Sequence, residues 1–358
     1  MILIGLLIIP LFIASVGFFV FKTTITWKEF LFQIAISTTI MVVGYLIARW
    51  SSLSDIEHLN GRITNKLSGS EKCCHCRQVC NGYREVCSGS GKNRTCSTQC
   101  TGYHEECDHY QDYWWSLDST VGRIGIDSCE PNKHRVPKVW ANAKVGEPAT
   151  VTHTYTNYLK ADPDSLIVHN KHEKFLDKIP SYPSIYEYYK VNPVISYGAN
   201  IPNGWQEAFS EINADLGAKK QIDITVLLTN IQDPTYAQAV EAKWLYGPKN
   251  SLTVVIGVRE GLAEWARVVT ISRVEALKIE LRDTIQGKRV EGIEIPNIIR
   301  SGVLSGFKRK PMSDFEYLAS TAEPSALATI ILYIIGIILS IGLGIFMHTN
   351  ELFNEGKS

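Results

Sequence analysis

Cys76-Arg-Gln-Val-Cys80-Asn-Gly-Tyr-Arg-Glu-Val-Cys87 and Cys96-Ser-Thr-Gln-Cys100-Thr-Gly-Tyr-His-Glu-Glu-Cys107 are two copies of one pattern, identical at six of twelve positions. Such self-similarity marks an internal repeat. In each copy the cysteines stand at i, i+4 and i+11, which at 100° per residue fall within about 40° of one another on a helix. The spacing therefore predicts a small disulfide-rich helical module, two short antiparallel helices folded back at the Ser/Gly-rich linker 88–95. Counting outward from that linker sets Cys87 against Cys96 and Cys76 against Cys107. Cys80 and Cys100 fall out of register by about 4.5 Å, leaving them to pair with each other or with Cys73, Cys74 or Cys129. Gly82 and Gly102 weaken a continuous helix here.

Zinc is the competing chemistry, because His75, His104 and His109 lie among the thiols. Zinc modules place paired ligands two to four residues apart in two knuckles, whereas here a third cysteine is fixed at i+11 in each copy. Dense, regularly spaced cysteines favour disulfides and an oxidising compartment. Nine is an odd number, so one cysteine of the nine is left free or bridges to another molecule. Asn93-Arg94-Thr95 in the linker fits a glycosylation sequon.

On either side of this module the chain turns apolar. Residues 1–21 carry no charge before Lys22 and, at 1.5 Å per residue, reach about 30 Å, the thickness of a hydrocarbon core. Residues 31–48 form a second apolar run, closed by Arg49-Trp50, a cation beside an interfacial aromatic. Together they predict a transmembrane hairpin over 1–50. Residues 326–347 are a third uncharged stretch, and Gly336, Ser340 and Gly344 recur every four residues, placing small side chains where another helix can approach. Without a basic leader or a small-residue cleavage site, the first run is read as a membrane helix rather than a signal peptide. Three crossings put the amino terminus and the large middle portion on one side and a short tail, 348–358, on the other. Lys22 and Lys28 favour a cytoplasmic loop, and the disulfides place the middle portion outside the cytoplasm.

The 358 residues carry 36 basic and 36 acidic side chains, so the field expected of a nucleic-acid binder is missing. The cysteine-rich module spans 51–115 and a β-containing irregular region spans 116–200. Within these, the aromatic cluster 110–115 suits a small core and 150–158 reads as a β-strand, while 182–197, with five tyrosines and two prolines, reads as irregular. Beyond 201, Trp205, Phe209, Ile212 and Leu216 predict a helix capped by Gly217. Residues 222–228 are β-favouring, Asp233-Pro234 opens a helix running to Trp244, and 252–258 is continuously apolar, as a strand covered on both faces is. A strand over 265–271 and a helix carrying Val274, Leu277, Leu281 and Ile285 follow. That order predicts a layered α/β domain with a partly parallel sheet over 201–310.

The stretch 222–258, with Tyr236-Ala237, Trp244, Gly247 and Lys249-Asn250, resembles the TPM domain family over roughly 205–310. Ser251 stands where that family usually has glycine. The resemblance implies an extracytoplasmic domain followed by a membrane helix, and calcium binding, phosphatase activity or upkeep of membrane complexes. Asp223, Asp233, Glu241 and Asp283 are the oxygen ligands that could converge on calcium; alternatively Asp233 is a helix cap and the others solvated charges. No nucleophile turn is present, and the histidines of His104-Glu-Glu-Cys-Asp-His109 are one residue too far apart for a zincin helix. The expected function is therefore a non-enzymatic, multi-pass membrane protein, in contact with membrane lipid and with another membrane or envelope protein. The alternatives are a calcium-binding phosphatase and a membrane-tethered zinc module.

Overall fold

The computed structural model describes residues 2–21, 24–88, 95–118, 121–126, 136–158, 170–244, 250–272 and 274–350. Cys129 and the sequon asparagine Asn93 lie outside them. Three helices are long and apolar enough to span a membrane: α1 (Ile2–Val20), α2 (Trp27–Leu53) and α8 (Ala326–Asn350). α2 starts in a capping box, in which Thr26 N–H donates to Glu29 and Glu29 N–H donates back to the Thr26 hydroxyl, satisfying two orphan donors at once. It runs five residues past the apolar run 31–48 and passes directly into a strand at Ser54.

The small-residue stripe of α8 does face α2. A Cβ on Gly336 would stand 3.1 Å from the Met41 sulfur, and Gln33 donates to the Ser340 carbonyl at 2.8 Å inside the bundle. α8 runs antiparallel to α2: Thr24 meets His348 at one end, and Ser52 donates to Glu323 O at the other. The described residues between α2 and α8 therefore sit at one end of the bundle, where α2 finishes and α8 begins.

Helices are not what the cysteine repeat forms. Its residues belong to β1 (Ser54–Cys80), β2 (Tyr83–Ser88), β3 (Thr95–Cys100) and β4 (Tyr103–Leu117), which is a correction to the helical module expected from the spacing. β1 pairs antiparallel with β4, and β2 with β3, so the four make one long ribbon. At its base β1 also pairs with β6 (Pro148–Thr156), and β4 pairs with β5 (Arg123–Ile126), closing a sheet of order β5-β4-β1-β6. Strands from 51–115 and from the first part of 116–200 therefore share one sheet, while β7, at 194–197, belongs to the other. Its core holds Trp115, fully buried, with Ile63 and Leu117, and the short α3 (Lys138–Asn142) packs beside it through Trp140.

The α/β layer follows the expected order. β7 (Val194–Tyr197), β8 (Asp223–Thr229) and β9 (Ser251–Arg259) are parallel, and β10 (Leu262–Val269) returns antiparallel. β8 is buried at every residue, as a strand covered on both faces is. β9 and β10 are joined by Glu260-Gly261, both at positive φ, the two-residue turn whose twist matches a hairpin. α4 (Trp205–Lys220), α6 (Glu275–Ile285) and α7 (Glu294–Gly306) cover one face, and α5 (Tyr236–Trp244) with the 3-10 segment Asn170–Lys178 covers the other.

Two expectations need correcting here. The edge strand β7 lies inside the stretch read as irregular. Gly217 does not end α4, which continues to Lys220 and is capped by Gln221 in the left-handed conformation. Gly217 instead marks a close approach, since a Cβ there would fall 2.3 Å from the Asn60 carbonyl of β1.

Candidate interaction site

The ribbon beyond the body is built by register. Cys87 stands opposite Cys96, Cys80 opposite Tyr103 and Tyr83 opposite Cys100. Directly opposed residues of an antiparallel ladder share a face, and Cys80 is bonded to Cys100, so Cys80, Cys100, Tyr83 and Tyr103 lie on one side. The other bridges are Cys76–Cys107 and Cys87–Cys96, with Cα atoms 4.0 and 3.9 Å apart, whereas the diagonal Cys80–Cys100 pair spans 5.8 Å. Both rungs counted from the linker are present, and the undecided pair Cys80 and Cys100 is joined.

The sequence repeat becomes a local two-fold axis. Exchanging each residue for its counterpart twenty positions away swaps Cys76–Cys107 with Cys87–Cys96 and returns Cys80–Cys100 to itself. At the axis, Asn81 N–H donates to Gly102 O and Thr101 N–H donates to Gly82 O, both at 2.8 Å. Tyr83 and Tyr103 are exchanged in the same way and are 74% and 65% exposed, which places two equivalent aromatic side chains in solvent beside the central bridge. On the opposite face Arg77 pairs with Glu106 at 2.9 Å.

Between Thr64 and Asp112 no described residue of the ribbon is buried. About 20 residues per strand project in this way, some 65 Å at 3.3 Å per residue. A two-stranded ribbon of that kind is marginal in water on its own, and here covalent bridges take the place of a core. Cys73, near the start of the stapled zone, is an exposed free thiol 3.5 Å from His109 Nδ1. Cys74 sits next to it, half-buried and opposite Asp108.

Where the arm joins the body, a polar knot is buried between β1 and β8. Asp223 accepts from Tyr182 at 2.8 Å, from Asn60 at 2.8 Å and from His58 at 3.2 Å. Burial alone would raise the Asp223 carboxyl, but the His58 hydrogen bond and charge, with the Asn60 and Tyr182 bonds, bring it below its ordinary value. The same burial and the Asp223 charge push the Tyr182 phenol well up. Asn60 also accepts from Thr150 at 2.6 Å. Nearer the surface, Arg62 holds Glu211 and Asp215 of α4 at 2.6 and 2.7 Å. His58 and Asn60 come from β1, far from Asp223 in sequence, so the sequence signalled the carboxylate and not its surroundings.

The four calcium candidates are not brought together. Asp223 opens β8 and is saturated by three donors, while Asp233 lies past the far end of that strand. There Asp233 receives the Thr235 hydroxyl and N–H and the Lys174 ammonium, which lower its carboxyl to about 2. It is the helix cap of the alternative expectation. Glu241 is exposed on α5, and Asp283 is exposed on α6, across the sheet, paired with Arg282. This donor set does not fit a calcium ion. The groups with ligand spacing among the described residues are Cys76, Glu105, Cys107 and their two-fold mates Cys96, Glu85, Cys87. Their sulfurs are spent in bridges, so they do not fit zinc in this state.

Comparison of the chain with protein-family models, curated proteins and solved structures gives no match.

Proposed function

We propose that this is a multi-pass membrane protein that holds a disulfide-stapled β-arm away from an α/β body and uses the arm to engage another protein, organising an assembly at the membrane. The observation that carries this is the arm itself: a long ribbon that buries nothing of its own and is stapled three times. Exposed tyrosines on a rigid support are the residue type that anchors interfaces. The three bridges favour an oxidising compartment, which supports the reading in which body and arm lie outside the cytoplasm and the tail after α8 inside.

The test is an arm deletion in the full chain, joining Ser68 to Tyr113 through an Asn-Gly turn. The intact chain should migrate in native electrophoresis of solubilised membranes as a larger complex, and the deletion should run as a folded, membrane-inserted single chain. A deletion that keeps the larger complex would remove the arm from the function. Calcium-dependent phosphate release by the full chain, abolished in Asp233→Ala with folding intact, would favour the phosphatase alternative instead.

A further inference from the structure

Two adjoining cavities lie where α2 emerges from the bundle of apolar helices. The first, about 680 Å³, is floored by Leu46, Trp50 and Leu53 of α2 and Ala319, and walled by Thr156 and Tyr158 at the end of β6. The second, about 720 Å³, shares Tyr155, Thr156 and Tyr158 with it and continues to His153, Arg309 and Glu316. The floor is fixed, because Arg49 donates to the carbonyls of Ala319 and Ala322, and Ser52 to that of Glu323, tying the end of α2 to the segment that enters α8.

The lining changes character along its length. At the bundle end, Leu46 and Trp50 are 53% and 76% exposed, apolar surface at the level where an interfacial aromatic marks the bilayer edge. At the far end, Arg309 grips the buried Glu57 at 2.7 Å and His153 lies 3.0 Å from the same carboxylate. The Arg309 guanidinium and the His153 ring thus share one acid there, and Glu316, exposed and in no ion pair among the described residues, supplies a second carboxylate. Apolar walls ending in groups of both signs match an amphiphile with both signs in its head. The volume is that of a ligand site.

We infer that this cleft is a binding site for one zwitterionic glycerophospholipid of the bilayer. Its acyl chain lies on Leu46 and Trp50, its phosphate faces Arg309 and His153, and its ammonium faces Glu316. The site rests on the membrane-anchored function proposed above.

The test uses the full chain, purified in mild detergent, stripped of lipid and titrated with phosphatidylethanolamine or phosphatidylglycerol under native mass spectrometry. One phosphatidylethanolamine should bind saturably, and phosphatidylglycerol more weakly. Ala319→Trp fills the apolar half and should weaken binding by about tenfold or more. Thr156→Trp blocks the junction and gives an independent reading if the first variant folds poorly. Unchanged binding in a folded variant, or equal unsaturable uptake of both lipids, would overturn the site. Alkaline carbonate extraction separates the two failures: a chain washed out of membranes contradicts the anchoring and the site, whereas a retained chain that holds no lipid contradicts the site alone.

Discussion

Cys80 and Cys100 are joined across the axis that exchanges the two halves of the repeat, diagonally on a ladder where each is directly opposed to a tyrosine of the other copy. An antiparallel ladder has such axes perpendicular to it, so a tandem repeat folded back in register becomes symmetric without further design. The structural consequence is that the arm is stapled at both ends and at its centre, while the body has an ordinary core.

Reduction should therefore unmake the arm and spare the body. After dithiothreitol treatment, amides of residues 69–88 and 95–112 are expected to exchange near unprotected rates, while those of Val226, Leu228 and Val254 keep their protection. Low-stability segments are those with few buried contacts, and no described residue of the ribbon between Thr64 and Asp112 is buried. Retained protection in the reduced arm would mean that its strands hold without covalent help.

The Asp223 knot sets a pH dependence. Its folded carboxyl lies below the unfolded value of about 3.9, so its contribution is complete above that value and is lost as pH falls through the folded one. Asp223→Ala strands His58 and Tyr182 in a buried site and should cost about 3–5 kcal/mol near neutrality. Melting temperatures of variant and parent should draw together as pH falls below the unfolded value of about 3.9. Parallel curves would show that the ionised carboxylate adds nothing specific.

Gly217→Ala pits two effects against each other. Alanine in a helix interior gains about 1 kcal/mol in propensity, but its Cβ would lie 2.3 Å from the Asn60 backbone oxygen, and overpacking of this kind costs about 1–3 kcal/mol. Backbone cannot rotate away as a side chain can, so the clash should win. Denaturant midpoints are expected to fall; a rise would mean that α4 and β1 separate freely.

Gly336→Leu tests the bundle of the three apolar helices. The Met41 side chain occupies the space that leucine would need, so α2 and α8 should be forced apart at a cost of about 1–3 kcal/mol. Thermal unfolding in detergent should occur earlier, and an unchanged transition would argue against close packing of these helices.

What the sequence made legible follows from the range of each interaction. The helices α1, α2 and α8 are long apolar runs, and β8 and β9 are short stretches rich in β-branched and apolar residues, all readable without knowing their neighbours. The Cys76–Cys107 and Cys87–Cys96 rungs were countable because within each rung the two cysteines lie the same distance from the linker. The secondary structure of the arm was not legible: i, i+4, i+11 is close to helical phase, whereas in a strand eleven is an odd step that changes face. The chain absorbs that step at Asn81-Gly82 and Thr101-Gly102, where the ladder is interrupted. β1 hid because residues 54–80 are polar without alternation, being buried only near the base. The carboxylates misled because Asp223 is completed by His58 and Asn60, residues that only tertiary structure brings near.

Disulfide mapping of the natively purified full chain, alkylated before non-reducing digestion, bears most directly on the oxidised arm. Linked peptides Cys76–Cys107, Cys80–Cys100 and Cys87–Cys96 are expected, with Cys73 alkylated. Alkylation of those six sulfurs, or recovery of the chain with stoichiometric zinc on them, would contradict the stapled ribbon and the compartment inferred from it.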